Sequence, residues 1–195
     1  MTLETLTDTD WYGQELSDLN FTNATFVNLD MTEDTLKSSV FTECTFRGAK
    51  FNCSTHTDVA FVNCKFMNCA FFETRFTDCK MVGSAFDRCT FDIMRVESGN
   101  WSHCALRGAD LRRATFENTK LREADLSSAN CEGASIRDCD LTSAWLGGAR
   151  LAECDLRGSE LAGIDLDEVR LRDVIITVQQ AVTIASALGL DVRAE

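Results

Sequence analysis

The chain has 195 residues and a formal net charge of −12, from 31 acidic and 19 basic residues. This length allows one domain with a sizeable core, and the charge argues against nucleic acid or an anionic membrane as a direct partner. No apolar run approaches the roughly 18 to 20 residues that span a bilayer, and the start of the chain lacks a signal-peptide pattern, so we expect a cytoplasmic protein.

Large apolar residues recur every five positions through most of the chain, as Phe61, Phe66, Phe71 and Phe76 show. The register runs without a slip from Leu6 to Ile176, and the only polar residue on it is His56. A period of five fits neither a helix nor a strand, because helical neighbours recur at three and four residues and strand faces at two. The chain must therefore bend once per repeat.

The pattern divides the chain into three parts. Residues 1–10 form an N-terminal lead-in, for which we expect a partly ordered first coil. Residues 11–176 carry the repeats, and residues 177–195 form a C-terminal helix and tail.

Within each repeat, a small residue stands two positions before the apolar centre and a turn former stands two positions after it. Cys and Ala exchange freely in the first slot, as at Cys64 and Ala114, which indicates small buried side chains and free thiols. The second slot holds mostly Gly, Asn and Asp, which tolerate the positive φ of a tight corner. We expect the centre and the small residue to point inward and the other three outward.

Two segments fit the repeat less well. In 52–60 the centre is His56, and in 92–100 the small slots hold Met94 and Gly99. Each segment is either a distorted coil or a loop whose length is a multiple of five, which would keep the register. The sequence leaves both alternatives open.

After Ile176 the repeat gives way to a helical pattern. Thr177 and Gln180 have the spacing of a capping box, and Gly189 stops the helix. The helix carries an apolar stripe, formed by Val178, Ala181, Val182, Ala185 and Leu188. This stripe predicts that the helix caps the open end of a stacked solenoid.

No catalytic constellation, metal site or cofactor motif is found in the sequence, and we expect no enzyme activity. His103 and Cys104 are adjacent and could in principle form a metal site or a nucleophile pair. Their slots argue against this, because Cys104 should point inward and His103 outward.

The blocks ADLRR, ADLSS, CDLTS, ARLAE and CDLRG resemble the consensus of the pentapeptide repeat family. The resemblance implies an all-β fold, a right-handed quadrilateral parallel β-helix with four repeats per coil. Here the C-terminal α-helix would cap this solenoid.

If four repeats complete one coil, residues twenty apart lie one rung above another. Asp18, Asp58, Asp78 and Asp138 then occupy the same corner of different rungs, and Glu33 and Glu73 lie on the adjoining side. Arg75 and Arg95 interrupt the first of these sides. These carboxylates either keep a rod soluble or present a regular anionic surface to a DNA-binding groove.

The acidic repeats and the tail QQAVTIASALGLDV are similar to the Qnr and MfpA subgroup of the family. That resemblance implies a DNA mimic that binds DNA gyrase, a type II topoisomerase, and protects it from fluoroquinolones. The six carboxylates would form the gyrase-binding surface. It also implies a homodimer formed through the C-terminus, for which we expect contacts from Val182, Ala185, Leu188, Leu190 and Val192. The alternative is a generic repeat scaffold that binds another protein.

Overall fold

Each repeat forms one side and one corner, and four repeats return the chain to a position one rung above its start. A computed structural model describes residues 4–193 as a β-solenoid followed by one helix. Phe46 pairs with Phe66, and Phe66 pairs with Phe86, both in parallel register. The predicted spacing of twenty residues per coil is confirmed, and so is the four-sided parallel β-helix.

Fifteen three-residue strands and one helix are present in the described part of the chain. They are β1 (Thr5–Thr7), β2 (Glu15–Ser17), β3 (Asn20–Thr22), β4 (Thr25–Val27), β5 (Thr35–Lys37), β6 (Val40–Thr42), β7 (Thr45–Arg47), β8 (Thr55–Thr57), β9 (Ala60–Val62), β10 (Lys65–Met67), β11 (Arg75–Thr77), β12 (Ala85–Asp87), β13 (Arg95–Glu97), β14 (Thr115–Glu117), β15 (Ser135–Arg137) and α1 (Val178–Ala187).

The strands stack into three ladders, which define the sides of the solenoid in chain order. Side 1 contains β1, β4, β7, β10 and β12; side 3 contains β2, β5, β8, β11, β13, β14 and β15; side 4 contains β3, β6 and β9. Side 2 is held by isolated bridges, such as Asp10 to Asp30 and Asp30 to Lys50. The lead-in takes part in the solenoid, because β1 pairs with β4, while residues 1–3 lie outside the described part.

Stacked aromatic rings fill the N-terminal half of the interior. The rings of Phe46 and Phe66 lie 5.0 Å apart and nearly parallel, and Phe61 meets Phe66 edge-on at 5.6 Å. These side chains are fully buried, and burial of each stabilises the fold by about 1.5–3 kcal/mol. Edge-to-face and offset pairs add to this.

Several Ser and Cys side chains of the small slot donate hydrogen bonds to buried backbone carbonyls. Ser84 Oγ donates to the Phe61 carbonyl at 2.8 Å, and the Cys64 thiol donates to the Phe41 carbonyl at 3.3 Å. All ten cysteines are free, and most are buried. The prediction of small, free and inward-pointing cysteines in this slot is confirmed.

Residues 52–60 and 92–100, the two segments that fit the repeat less well, form coils of the solenoid. Strand β8 lies inside 52–60 and pairs with β5 and β11, and β13 lies inside 92–100 and pairs with β11 and β14. Neither segment leaves the solenoid. Gly99 explains one irregularity, because its φ of 86° and its contact with the backbone of Cys79 leave no room for a side chain.

The wall of the solenoid opens on side 2. In the described chain, no backbone hydrogen bond joins residues 88–93 to residues 107–113, although the rungs on either side remain paired. A cavity of about 650 Å³ lies there, and the Asp92–Arg113 ion pair crosses it at 3.1 Å. Trp101 stacks on Phe86 at 5.9 Å at this level of the core, and its own rung on side 4 stays paired, through Asn100 with Lys80 and Lys120.

The hydrogen-bond register slips in the last coil. Elsewhere an amide donates to the carbonyl nineteen residues later, as from Ser128 to Gly147. Gly148 donates instead to Glu168, and Glu153 donates to Asp173, each twenty residues later. One extra residue therefore bulges out of the rung. The five-residue apolar spacing is kept, and the usual pairing returns at Leu156, whose amide donates to the Ile175 carbonyl nineteen residues later.

Helix α1 begins at the predicted capping box, in which Thr177 and Gln180 exchange hydrogen bonds. It is attached to the solenoid by Gln180, whose Nε2 donates to the carbonyls of Leu156 and Ser159, both at 2.7 Å. The helix has no fully buried residue. Among residues 4–193 no helix is long and apolar enough to cross a membrane.

Candidate functional site

Four of the predicted carboxylates form one column at the corner between sides 3 and 4. Asp18, Asp58, Asp78 and Asp138 are all exposed, with φ between 52° and 57°. Aspartate tolerates this left-handed conformation better than most residues. The corner geometry therefore selects a short polar side chain and points it into solvent.

The other two predicted carboxylates lie at the opposite corner of side 3. Glu33 and Glu73 are exposed, two rungs apart, with Cys53 between them. The Tyr12 hydroxyl donates to Glu33 Oε2 at 3.1 Å, and this bond raises the pKa of Tyr12. The Cys53 thiol lies 3.8 Å from Glu73 Oε2. The two corners place the predicted carboxylates along both edges of one ladder.

The seven-stranded ladder of side 3 is the platform between these corners. Its backbone pairing is continuous from β2 to β15, which makes it the longest ladder in the structure. Half of its outward side chains are Thr or Ser, and Arg75 and Arg95 lie on adjacent rungs. The remaining outward side chains are charged, namely Glu15, Lys37, Glu97, Glu117 and Arg137. The surface is thus acidic along its edges and carries charges of both signs along its strands.

Ion pairs involve ten other acidic residues of the described chain, while fourteen further acids are unpaired like the six predicted carboxylates. Asp110 accepts two bonds from Arg112, and Asp155 accepts two from Arg157; each guanidinium holds the pKa of its carboxyl below the ordinary range. Asp30 is paired with Lys50 at 3.2 Å. None of the six predicted carboxylates takes part in an ion pair with another described residue. Their charge is therefore available to a partner.

The described residues offer little for catalysis. Cys104 is buried and donates to the Met81 carbonyl at 2.9 Å, while His103 is exposed and lies 3.6 Å from Glu123. Burial raises the pKa of the Cys104 thiol. The predicted inward cysteine and outward histidine are confirmed. Within residues 4–193 no three His, Cys, Asp or Glu side chains are grouped so as to hold a metal ion.

The predicted dimerisation residues are largely accessible. Val182, Leu188, Leu190 and Val192 are exposed, by 36% to 61%, and Ala185 is half-buried. The first helical residue, Val178, is 84% exposed. The apolar stripe that we expected to cover the end of the solenoid instead faces solvent, because Gln180 rather than the stripe makes the attachment.

Sequence comparison identifies the repeat. The family model described as pentapeptide repeats matches eight copies, at residues 15–52, 104–142 and 134–173, which together cover more than half of the chain. No curated protein sequence shows significant similarity to the chain.

Solved structures with the same fold are found at low sequence identity. A trypsin-treated variant of QnrB1, described as a plasmid-mediated fluoroquinolone resistance protein, is similar with a TM-score of 0.75 and 18% identity, over 96% of this chain and 99% of that chain. HetL, a pentapeptide repeat protein involved in heterocyst differentiation regulation in Nostoc sp. strain PCC 7120, is similar with a TM-score of 0.52 and 16% identity, over 89% of each chain. At these identities the likeness shows the fold alone.

Proposed function

This chain belongs to the pentapeptide repeat family, and we propose that it is an acidic DNA mimic that binds DNA gyrase, inhibits it and protects it from fluoroquinolones. It would act in the cytoplasm by binding, without catalysis. The observation that carries the proposal is the set of six exposed carboxylates, free of ion pairs, along both edges of side 3.

The spacing of these carboxylates suits a surface that normally binds duplex DNA. Asp58 and Asp78 are one rung apart, or about 4.8 Å, and Asp18 lies two rungs from Asp58. DNA presents closely spaced phosphates along a stiff rod, and basic surfaces recognise that charge without reading sequence. A continuous parallel ladder holds carboxylates on a comparably stiff support, so little entropy is lost on binding.

The fold of QnrB1 is consistent with this proposal but does not establish it, because the shared fold also occurs in HetL. HetL is described by a role in heterocyst differentiation rather than in drug resistance. The alternative function is therefore a repeat scaffold that binds a different protein, with the carboxylates serving solubility only. The alignment of the six carboxylates at the two corners of one continuous ladder is what favours the gyrase proposal, since solubility alone does not require aligned charges.

We also propose that two copies associate through their C-terminal tails. The exposed apolar residues of α1 and the tail, Val178, Val182, Leu188, Leu190 and Val192, lie close together in sequence at one end of the rod. Large exposed apolar patches commonly mark protein interfaces. A tail-to-tail dimer would join two acidic rods into a longer DNA-like surface.

The test is binding to purified gyrase over a salt series, with quinolone-induced DNA cleavage measured in parallel. The proposal predicts binding that weakens steeply with salt, inhibition of supercoiling that tracks the occupancy of gyrase, and reduced cleavage complexes. Binding that is indifferent to salt, or no binding at all, would favour the scaffold alternative. An unbiased pull-down from a bacterial lysate would then identify the other partner.

A further inference from the structure

A solvent-open pocket of about 380 Å³ lies on side 1, near the C-terminal end of the solenoid and away from the corners of side 3. Its walls include Trp145, Gly147, Gly163, Asp165 and Glu168. The pocket thus combines one aromatic ring, two residues without side chains and two carboxylates.

Trp145 is the most exposed aromatic side chain of the described chain, at 64%. It occupies an outward slot on side 1, and its backbone pairs with Asp125 one rung earlier. The other two tryptophans differ, because Trp101 is fully buried and Trp11 is partly buried against the core. Tryptophan is enriched among the residues that dominate binding energy at protein interfaces.

The register slip in the last coil places Glu168 in this pocket. The Gly148 amide donates to the Glu168 carbonyl, whereas the usual spacing of nineteen residues would place its acceptor at Asp167. Glu168 therefore takes the place in the rung that the preceding residue would otherwise occupy. The Glu168 side chain then lies over Gly147, where a Cβ would come within 2.9 Å of Glu168 Oε2. Bulges of this kind commonly re-aim a side chain next to a functional site. Gly147 makes room for the carboxylate.

The two carboxylates of the pocket lack a cation. Asp165 Oδ1 accepts the Asp167 amide at 3.0 Å, which fixes the orientation of that side chain. Within residues 4–193 neither Asp165 nor Glu168 forms an ion pair, and no Lys or Arg lines the pocket. A negative pocket beside an aromatic face attracts a positive group and repels a phosphate.

We propose that this pocket binds an arginine side chain of a partner protein. A guanidinium is planar and can stack on the Trp145 indole while it donates to the carboxylates of Asp165 and Glu168. Lysine offers a compact, strongly hydrated ammonium that cannot stack in this way. The inference does not depend on the identity of the partner, and so it goes beyond the proposed gyrase interaction.

The experiment follows the indole N–H signal of Trp145 by NMR, assigned with the Trp145→Phe variant, in the full chain. The probe is N-acetyl-arginine methylamide, and the uncharged citrulline and the lysine analogues are titrated in parallel. We expect a saturable shift of the Trp145 signal with the arginine compound, while the Trp101 signal stays in place. The citrulline compound should give no saturable shift, and the lysine compound should bind more weakly.

Two double variants compare removal of the two pocket carboxylates with removal of the same charge elsewhere on the surface. Asp165→Asn with Glu168→Gln should weaken the arginine response by roughly tenfold. Glu4→Gln with Glu43→Gln removes the same charge from exposed sites elsewhere and should leave the response unchanged. Absence of a saturable shift, an equal response to citrulline or lysine, or equal weakening in both double variants would overturn the proposal. The assay contains no gyrase, so its failure is distinguishable from failure of the proposed function.

Discussion

The hydroxyl oxygen of Ser54 lies 2.8 Å from Nε2 of His56 inside the solenoid. The same hydroxyl donates its proton to the Phe51 carbonyl at 2.6 Å. His56 must therefore donate from Nε2, which leaves Nδ1 as a buried acceptor without a partner. Its ring stacks on Phe76 at 5.0 Å, in the place that an aromatic centre occupies on other rungs.

His56 should make the fold sensitive to acid. Burial lowers its pKa from the ordinary 6.5 to about 3. Between these values the unfolded chain binds a proton that the folded chain does not, so stability is lost as pH falls from about 6.5 towards 3. His56→Phe should change stability little at pH 7 and gain about 2 kcal/mol over the native chain near pH 4.5. Urea unfolding at both pH values checks this, and a gain of equal size at both would contradict the account.

Asp34 should make the fold sensitive to base. It occupies a small inward slot, is 1% exposed, and neither carboxylate oxygen has a hydrogen-bond partner in the described chain. Burial raises its pKa from the ordinary 3.8 to about 8. The folded chain therefore keeps a proton that the unfolded chain releases, and stability falls as pH rises from about 4 to about 8.

Asp34→Ser should remove that penalty. Ser54, one rung later in the same slot, donates to the carbonyl three residues before it, and a serine at 34 can do likewise. We expect a gain of about 2 kcal/mol at pH 8 and a smaller gain at pH 5, measured by urea unfolding. A variant that is destabilised equally at both pH values would show that Asp34 has an unrecognised partner.

Replacing Gly99 and Gly108 by alanine should show how much stability depends on contact between rungs and how much on backbone conformation. Both have positive φ, but only Gly99 lies against the backbone of the rung below, at Cys79; nothing lies within 4 Å of a Cβ at Gly108. Gly108→Ala should cost about 1 kcal/mol from the left-handed conformation alone. Gly99→Ala should cost at least about 3 kcal/mol, because the rungs must also separate. Thermal unfolding of the two variants provides the measurement, and equal losses would be inconsistent with the contact.

The exposed apolar tail should hold two copies together. Val182→Glu with Leu190→Glu should give a monomer whose circular dichroism is unchanged, because both residues are exposed in the single chain. Thr183→Glu, on the same helix, should keep the dimer. Truncation after Ile176 should also give a monomer, with lower stability because Gln180 no longer caps the last coil. Light scattering measures the mass, and an unchanged mass in the double variant would exclude this interface.

The repeat made most of the fold predictable from sequence. A period of five with small inward residues predicts which side chains are buried, and the family resemblance supplies the four-sided coil that aligns Asp58 with Asp78. The sequence alone did not show which carboxylates form ion pairs with Lys or Arg and which do not. Pairing depends on side-chain reach between rungs, as between Asp92 and Arg113.

Three features escaped the sequence interpretation for different physical reasons. Asp34 was detectable, because a carboxylate in a slot for small residues breaks the pattern. The slip at Glu168 was not, since the apolar spacing continues through Leu166 and Leu171 while the backbone register changes. The opening at 88–93 was also hidden, because the apolar spacing continues through Phe91 and Leu111 on the two rungs that separate.

The central claim is that unpaired carboxylates of side 3 stand in for DNA phosphates. The direct test is the affinity of purified gyrase for the variant Asp18→Asn, Asp58→Asn, Asp78→Asn, since asparagine tolerates the positive φ at all three corners. The matched control, Glu4→Gln, Asp8→Asn, Glu43→Gln, removes equal charge from other sides. The account predicts that the first variant stays folded, loses affinity by roughly tenfold or more and shows a shallower salt dependence, while the control binds normally. Equal affinity of both variants would contradict it.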